Sequence, residues 1–132
     1  MGERPTDPAG TAFRRMAEGE DPSPVEERAR SSGWRVLRLD LSGVHDKAGL
    51  MEAFASAVPL PDHFGGHWDA LEECLSEAEV FAAAAGCLLV LGGFGGMERR
   101  PPSEAATLAG LLEDLSAGWA AEGRPFKSLA LP

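Results

Sequence analysis

The stretch Asp62-His63-Phe64-Gly65-Gly66-His67-Trp68-Asp69-Ala70-Leu71-Glu72-Glu73-Cys74-Leu75 organises the whole chain. It reads as a glycine-bearing loop that runs into a short amphipathic helix. On a helical wheel Trp68, Leu71, Cys74, Leu75 and Ala78 share one arc, and Asp69, Glu72, Glu73 and Glu77 share the opposite one. The first arc requires a core to face, which leaves the second in water. Residues 62–79 hold six acids and no Lys or Arg, so −6 of the net −9 sits there. Like charges one turn apart cost a helix about a few tenths of a kcal/mol per pair. A solvated face is the ordinary reading of such a run. The loop beside it points instead to a surface that recognises something.

On either side of this stretch, strands alternate with helices. Downstream, Cys87-Leu88-Leu89-Val90-Leu91 is wholly apolar, as suits a strand buried on both faces of a parallel sheet. Upstream, Trp34–Leu41 reads as the first strand. Asp46 is placed to cap a helix over Lys47–Val58, with Leu50, Met51, Phe54 and Val58 as its stripe. Val80–Ala85 reads as a helical tail to the acidic helix. Ser103 is placed to cap a helix over Glu104–Glu122, whose stripe is Leu108, Leu111, Leu112, Leu115 and Trp119. Gly123 and Pro125 stop it, and Phe126–Leu131 is the last strand. Strands separated by helices pair in parallel through crossovers. The expected fold is therefore α/β, a small three-stranded parallel sheet covered by helices. Before it, residues 1–23 read as a polar, proline-bearing flexible tail, with a transient helix at Thr11–Met16. Residues 24–33 read as an extra N-terminal helix, with Ser23 as its cap and Pro24 in its first position, so that the folded domain spans 24–132.

Phe64-Gly65-Gly66-His67-Trp68-Asp69-Ala70-Leu71, with Glu73 as the second acid one turn on, resembles the signature of the barstar family of ribonuclease inhibitors. The order of elements from Trp34 onward is similar to that family's as well. The resemblance implies a barstar-like fold carrying an N-terminal extension. It also implies an intracellular, cytoplasmic inhibitor of a basic, barnase-like secreted ribonuclease or related toxin. Such a protein is monomeric when free and needs no cofactor. By the same resemblance His63, Phe64, Gly65, Gly66, His67, Trp68, Asp69, Glu72 and Glu73 form the partner-binding surface. The carboxylates would take the places that phosphates occupy in a cleft lined with Arg, Lys and His. Three positions depart from the family pattern: His63 stands where Tyr is frequent, His67 where Asn is usual, and Glu73 where Asp is usual. Those departures motivate the alternative, a barstar-like interaction module whose partner is not a ribonuclease.

Other chemistries fare worse. An acidic chain repels phosphate backbones, which argues against nucleic-acid binding. No run of apolar residues is long enough to span a membrane, and Met1–Arg15 lacks the apolar stretch of a signal peptide. Cys74 and Cys87 fall at apolar positions, as buried free thiols do. His63 and His67 at helical spacing could hold zinc, but Gly65-Gly66 between them argues against a formed helix and so against a metal site. Gly92-Gly93-Phe94-Gly95-Gly96 follows a strand without the spacing of a phosphate loop, and Pro101-Pro102 precedes the next helix. It reads as a flexible loop. His45, His63 and His67 have no Ser or Cys partner that spacing singles out, so no catalytic residue is expected and the chain is not read as an enzyme.

Overall fold

The computed structural model of the chain describes residues 12–58, 68–77, 84–99 and 102–132. Its elements are β1 (Phe13–Arg15), α1 (Ser23–Ser31), β2 (Trp34–Asp40), α2 (Lys47–Ala57), α3 (Trp68–Glu77), β3 (Gly86–Gly92), α4 (Phe94–Arg99), α5 (Pro102–Ala121) and β4 (Phe126–Ala130). The strands form one parallel sheet in the order β1-β4-β3-β2. From β2 onward each strand is the neighbour of the next. The first connection, through α1, instead crosses from one edge of the sheet to the other.

Burial follows from the alternation of side chains along a strand. In β3, Cys87, Leu89 and Leu91 face one way, and Leu88 and Val90 face the other; all five are buried. The first face meets α2 through Leu50, Met51 and Phe54, α3 through Leu71 and Leu75, α4 through Phe94 and Met97, and α5 through its predicted stripe from Leu108 to Trp119. Among the described helices only α1, with Val25 and Ala29, covers the second face. The parallel α/β architecture and the predicted order of elements from Trp34 onward therefore hold. Asp46 caps α2 as expected, its Oδ1 accepting from the Gly49 amide at 2.8 Å.

Several expectations are corrected. The sheet has four strands rather than three, because Phe13–Arg15 pairs with β4 in the register Phe13↔Ser128, Arg14↔Leu129, Arg15↔Ala130. The flexible-tail reading of residues 1–23, and the transient helix at Thr11–Met16, thus fail from Phe13 onward; residues 1–11 lie outside the described residues. Three residues are too few to show a period, so the strand is signalled only by what it touches. Phe13 meets Phe94 edge-on at 5.3 Å, and Met16 is buried. The glycine-rich stretch from Gly92 is likewise no loop throughout: Phe94–Arg99 is a helical turn and a half whose Phe94 and Met97 enter the core. Tertiary burial there overrides the poor helix propensity of glycine. Neither Ser23 nor Ser103 is the cap expected of it. α1 begins at Ser23 after Pro22, and α5 begins at Pro102, where proline suits the first helical position. The helical tail expected at Val80–Ala85 lies mostly outside the described residues.

Two glycines make opposite demands. Gly93 has φ +76°, and a Cβ there would stand 2.9 Å from the backbone of Ser42. Gly118 lies in α5, where an added Cβ would meet nothing within 4 Å. Gly93→Ala is expected to lose about 1–3 kcal/mol through forced left-handed backbone, and Gly118→Ala to gain about 0.4–1 kcal/mol by restricting the unfolded chain. Urea unfolding of both variants measures this; equal stability would mean that the Gly93 turn relaxes away from Ser42. A second expectation concerns Cys87, whose thiol is pushed up to about 12 by burial, with Arg35 pulling weakly the other way. At pH 8 it stays protonated in the folded state. Alkylation at Cys87, followed by mass spectrometry, should therefore proceed only at the rate of unfolding.

Candidate functional site

α3 forms where the sequence turns from glycines to a run of good helix formers. Leu71 and Leu75 are buried in the main core, Cys74 is nearly so, and Trp68 is half-buried against the same cluster. The helix packs on α5. Trp68, divided in the sequence between core and surface, thus sits at the boundary. Asp69 and Glu73, one turn apart, are exposed; Glu72 beside them is half-buried, more so than its wheel position implies. The remaining expected site residues, His63, Phe64, Gly65, Gly66 and His67, lie outside the described residues.

What marks this helix is the density of its acids: Asp69, Glu72, Glu73 and Glu77 fall within nine residues that hold no Lys or Arg. Elsewhere four acids are paired with arginine, Glu20 with Arg14 at 2.7 Å, Glu98 with Arg15 at 2.7 Å, Glu26 with Arg38, and Glu122 with Arg124 at 3.8 Å, while others are spread over the surface. Among the described residues no ion pair engages Asp69, Glu72 or Glu73. Asp69 stands in the first turn, where the helix N-terminus favours negative charge. No basic residue stands in the last turn to offset the other end. Ser76 closes its hydroxyl onto the Glu72 carbonyl at 2.9 Å and so adds no cation either. The result is a packed helix, anchored by two leucines, whose exposed Asp69 and Glu73 form no ion pair among the described residues.

A second concavity, a cleft of about 540 Å³, opens between the β2–α2 turn and α4 and is lined by Leu41, Ser42, Val44, His45, Gly96 and Met97. Its two walls come from segments distant in sequence, so no local pattern signals it. Its chemistry is modest. The Ser42 hydroxyl donates to Asp40 Oδ1 at 2.6 Å, a contact that also holds the Asp40 carboxyl below its ordinary range. With its proton committed there, Ser42 is not presented to His45 as a nucleophile. Among the described residues no group of three or more His, Cys, Asp or Glu side chains could hold a metal ion. No helix among them is long and apolar enough to cross a membrane.

Compared with known families, residues 34–130 match the Barstar family, described as barstar (barnase inhibitor). The match takes in β2 through β4 with α2 to α5, and leaves β1 and α1 outside. None of the curated proteins matches the chain.

The division of labour on α3 can be measured directly. Leu71→Ala is expected to cost about 2–5 kcal/mol of stability, because Leu71 is fully buried. Glu73→Ala should leave stability unchanged or slightly raised, since the side chain is exposed and its loss relieves repulsion. Asp69→Ala relieves repulsion too but gives up a favourable charge in the first turn, so it should cost no more than about 1 kcal/mol. Denaturant unfolding of the three variants decides it. A loss at Asp69 or Glu73 comparable to that at Leu71 would place those carboxylates in a structural role.

Proposed function

The chain belongs to the barstar family, and on that premise we propose that it is a stoichiometric protein inhibitor of a basic ribonuclease, docking α3 and the stretch before it into the enzyme's active-site cleft. The observation that carries this reading is the crowding of acids on one packed helix: Asp69, Glu72 and Glu73 lie within five residues, and no described cation forms an ion pair with any of them. A cleft built to hold phosphates presents Arg, Lys and His. Asp69 and Glu73, fixed one turn apart on a packed helix, can meet such groups without reorganising. Trp68, Glu72 and residues 63–67 would complete the surface. Inhibition by this route is occlusion, so it needs no cofactor and no chemical step. A net charge of −9, two thirds of it in residues 62–79, would also draw a basic partner from a distance.

The test is titration of a barnase-like ribonuclease, and of a panel of other small basic ribonucleases, with the purified protein. Inhibition should reach completion at one equivalent. Asp69→Ala and Glu73→Ala should each weaken it by about 2–5 kcal/mol, the general range for stranding a charged partner in an interface. Association should slow steeply as salt rises, because screening shortens the reach of the charge. No inhibition of any ribonuclease, together with tight capture of another basic protein that still depends on Asp69, would instead support a family module turned to a different partner. If that capture is indifferent to both acids, α3 is not the recognition surface.

A further inference from the structure

The second face of the sheet is apolar within the family-matched region, where Trp34, Leu88, Val90 and Leu129 are buried and Val36 is half-buried; Leu131, just past that region, packs half-buried on the same cluster. What buries it comes from outside that region: Met16, Val25 and Ala29. The buried residues of this small cluster are distinct from those of the main core, from which the strands separate them. The covering segment is knit to itself. In the turn between β1 and α1, Glu20 accepts from the Ala17 amide and from Arg14, both at 2.7 Å, and Gly19 takes φ +86°. Its attachments are of different kinds, and at its two ends the Ser128 amide donates to the Ala12 carbonyl at 2.9 Å and the Ala85 amide to the Gly33 carbonyl at 3.1 Å. The Met16 amide donates to the Ala130 carbonyl at 2.8 Å beside the short β1–β4 ladder. Glu26, only 2 % exposed, receives Arg38 through both Nε (2.7 Å) and Nη2 (2.5 Å). Phe13 on Phe94 and Arg15 on Glu98 tie β1 to α4.

These attachments depend on one another. If α1 lifts, the Glu26 carboxylate leaves Arg38, Val25 and Ala29 leave the sheet, and Met16 loses the neighbours that bury it. If β1 leaves the β4 edge, Met16 goes with it and opens the cluster from the other side. Burial of a carboxylate is tolerable only while its partner is in place, so Glu26 cannot remain half attached. Among the described residues, the strap reaches the helical face through β1, by Phe13 on Phe94, Arg15 on Glu98 and the approach of β1 to α5. Local opening follows cooperative units of this kind.

We propose that residues 12–33 are a strap that opens and closes as one unit over the second face of the sheet while the helical face, α3 included, stays folded. Opening would uncover Trp34, Leu88, Val90 and Leu129 and free the β4 edge. This inference is independent of the inhibitor reading, since it concerns the opposite face.

Native-state hydrogen exchange on the full chain, read amide by amide at low denaturant, tests it. The Met16, Glu26 and Ser32 amides, bonded to Ala130, Pro22 and Arg28 carbonyls, should share one opening constant. It should be distinct from, and larger than, that of Leu89 in β3 and Leu112 in α5. Glu26→Gln removes the charge from the Arg38 contact and should raise exchange at Met16 and Ser32 by the same factor, roughly tenfold or more, with Leu89 and Leu112 unchanged. Val25→Ala is the milder variant with the same readout, should the first not fold. The proposal is overturned if Ser32 responds and Met16 does not, if neither responds, or if Leu89 and Leu112 rise by the same factor.

Discussion

The structure depends on one constraint: β3 is apolar on both sides. A strand carrying Cys87, Leu89 and Leu91 on one face and Leu88 and Val90 on the other cannot leave either face in water. That single strand requires neighbours on both edges and cover on both faces. The helices α2 to α5 answer the first face. On the second, the cover is α1 with Met16, and it is reached only by carrying the chain from β1 at one edge of the sheet across to β2 at the other. The crossing is also where a deeply buried carboxylate sits. Glu26 is acceptable under α1 because Arg38 reaches it with two nitrogens while keeping 61 % of its own side chain exposed. The guanidinium is thereby held more firmly protonated than usual, chiefly by the hydrogen bond to Glu26. Half of the pair stays hydrated, which limits the desolvation that makes fully buried ion pairs costly.

Most of this was legible in the sequence, for reasons that differ by element. The stripe Leu108, Leu111, Leu112, Leu115 and Trp119 repeats at helical spacing along a 20-residue helix, so α5 could hardly be misread. Asp46 announced α2 because a cap acts through local backbone and needs no tertiary partner. What escaped notice was held by contacts far apart in sequence. β1 is three residues of mixed character, and only Ser128, Leu129 and Ala130 across the ladder make a strand of it. α4 is dominated by glycine at its start, and its helicity comes from Phe94 and Met97 being drawn into a core built by other segments. The second concavity combines Ser42 and His45 with Gly96 and Met97, and no local pattern can bring those together. On α3 the wheel separated Leu71, Cys74 and Leu75 from Asp69 and Glu73 as observed, but set Glu72 as far out as Asp69, whereas it is half-buried; the side chains it assigned at Glu77 and Ala78 lie outside the described ones. The wheel knows angle, not the height of the neighbouring helix.

The acidic face of α3 is best understood against the rest of the surface. Arginine is used freely elsewhere, closing onto Glu20, Glu26, Glu98 and Glu122. With 12 Lys and Arg against 21 Asp and Glu, cations are too few to pair every acid, and the described ion pairs all fall outside α3, where the acids are most crowded. Repulsion along the helix is offset by burial of Leu71 and Leu75, a term several times larger than a few surface charge pairs. Such an arrangement tolerates its own electrostatic cost in isolation, and a basic surface docked on it, as proposed, would offset that cost.

Within that face, Asp69 and Glu73 are not equivalent, and the difference follows from position and length. Asp69 lies in the first turn, where the free amides and the positive end of the helix already stabilise a carboxylate. Its short side chain holds the charge close to the backbone, with little rotamer freedom to lose. Glu73 lies mid-helix, beyond the reach of that end effect, and one methylene lengthens its arm. It can meet a cation farther from the helix axis, but it must surrender more side-chain entropy to do so. Asp69 is thus the preorganised half of the pair and Glu73 the adaptable half. A partner cation directly above the helix start would gain most from Asp69. One displaced outward by a turn would require the reach of Glu73, and a shorter acid at that position would leave a gap for water. If α3 docks as proposed, the glutamate at 73 would set the distance at which a cleft approaches the helix, and would favour some basic partners over others by geometry as well as by charge.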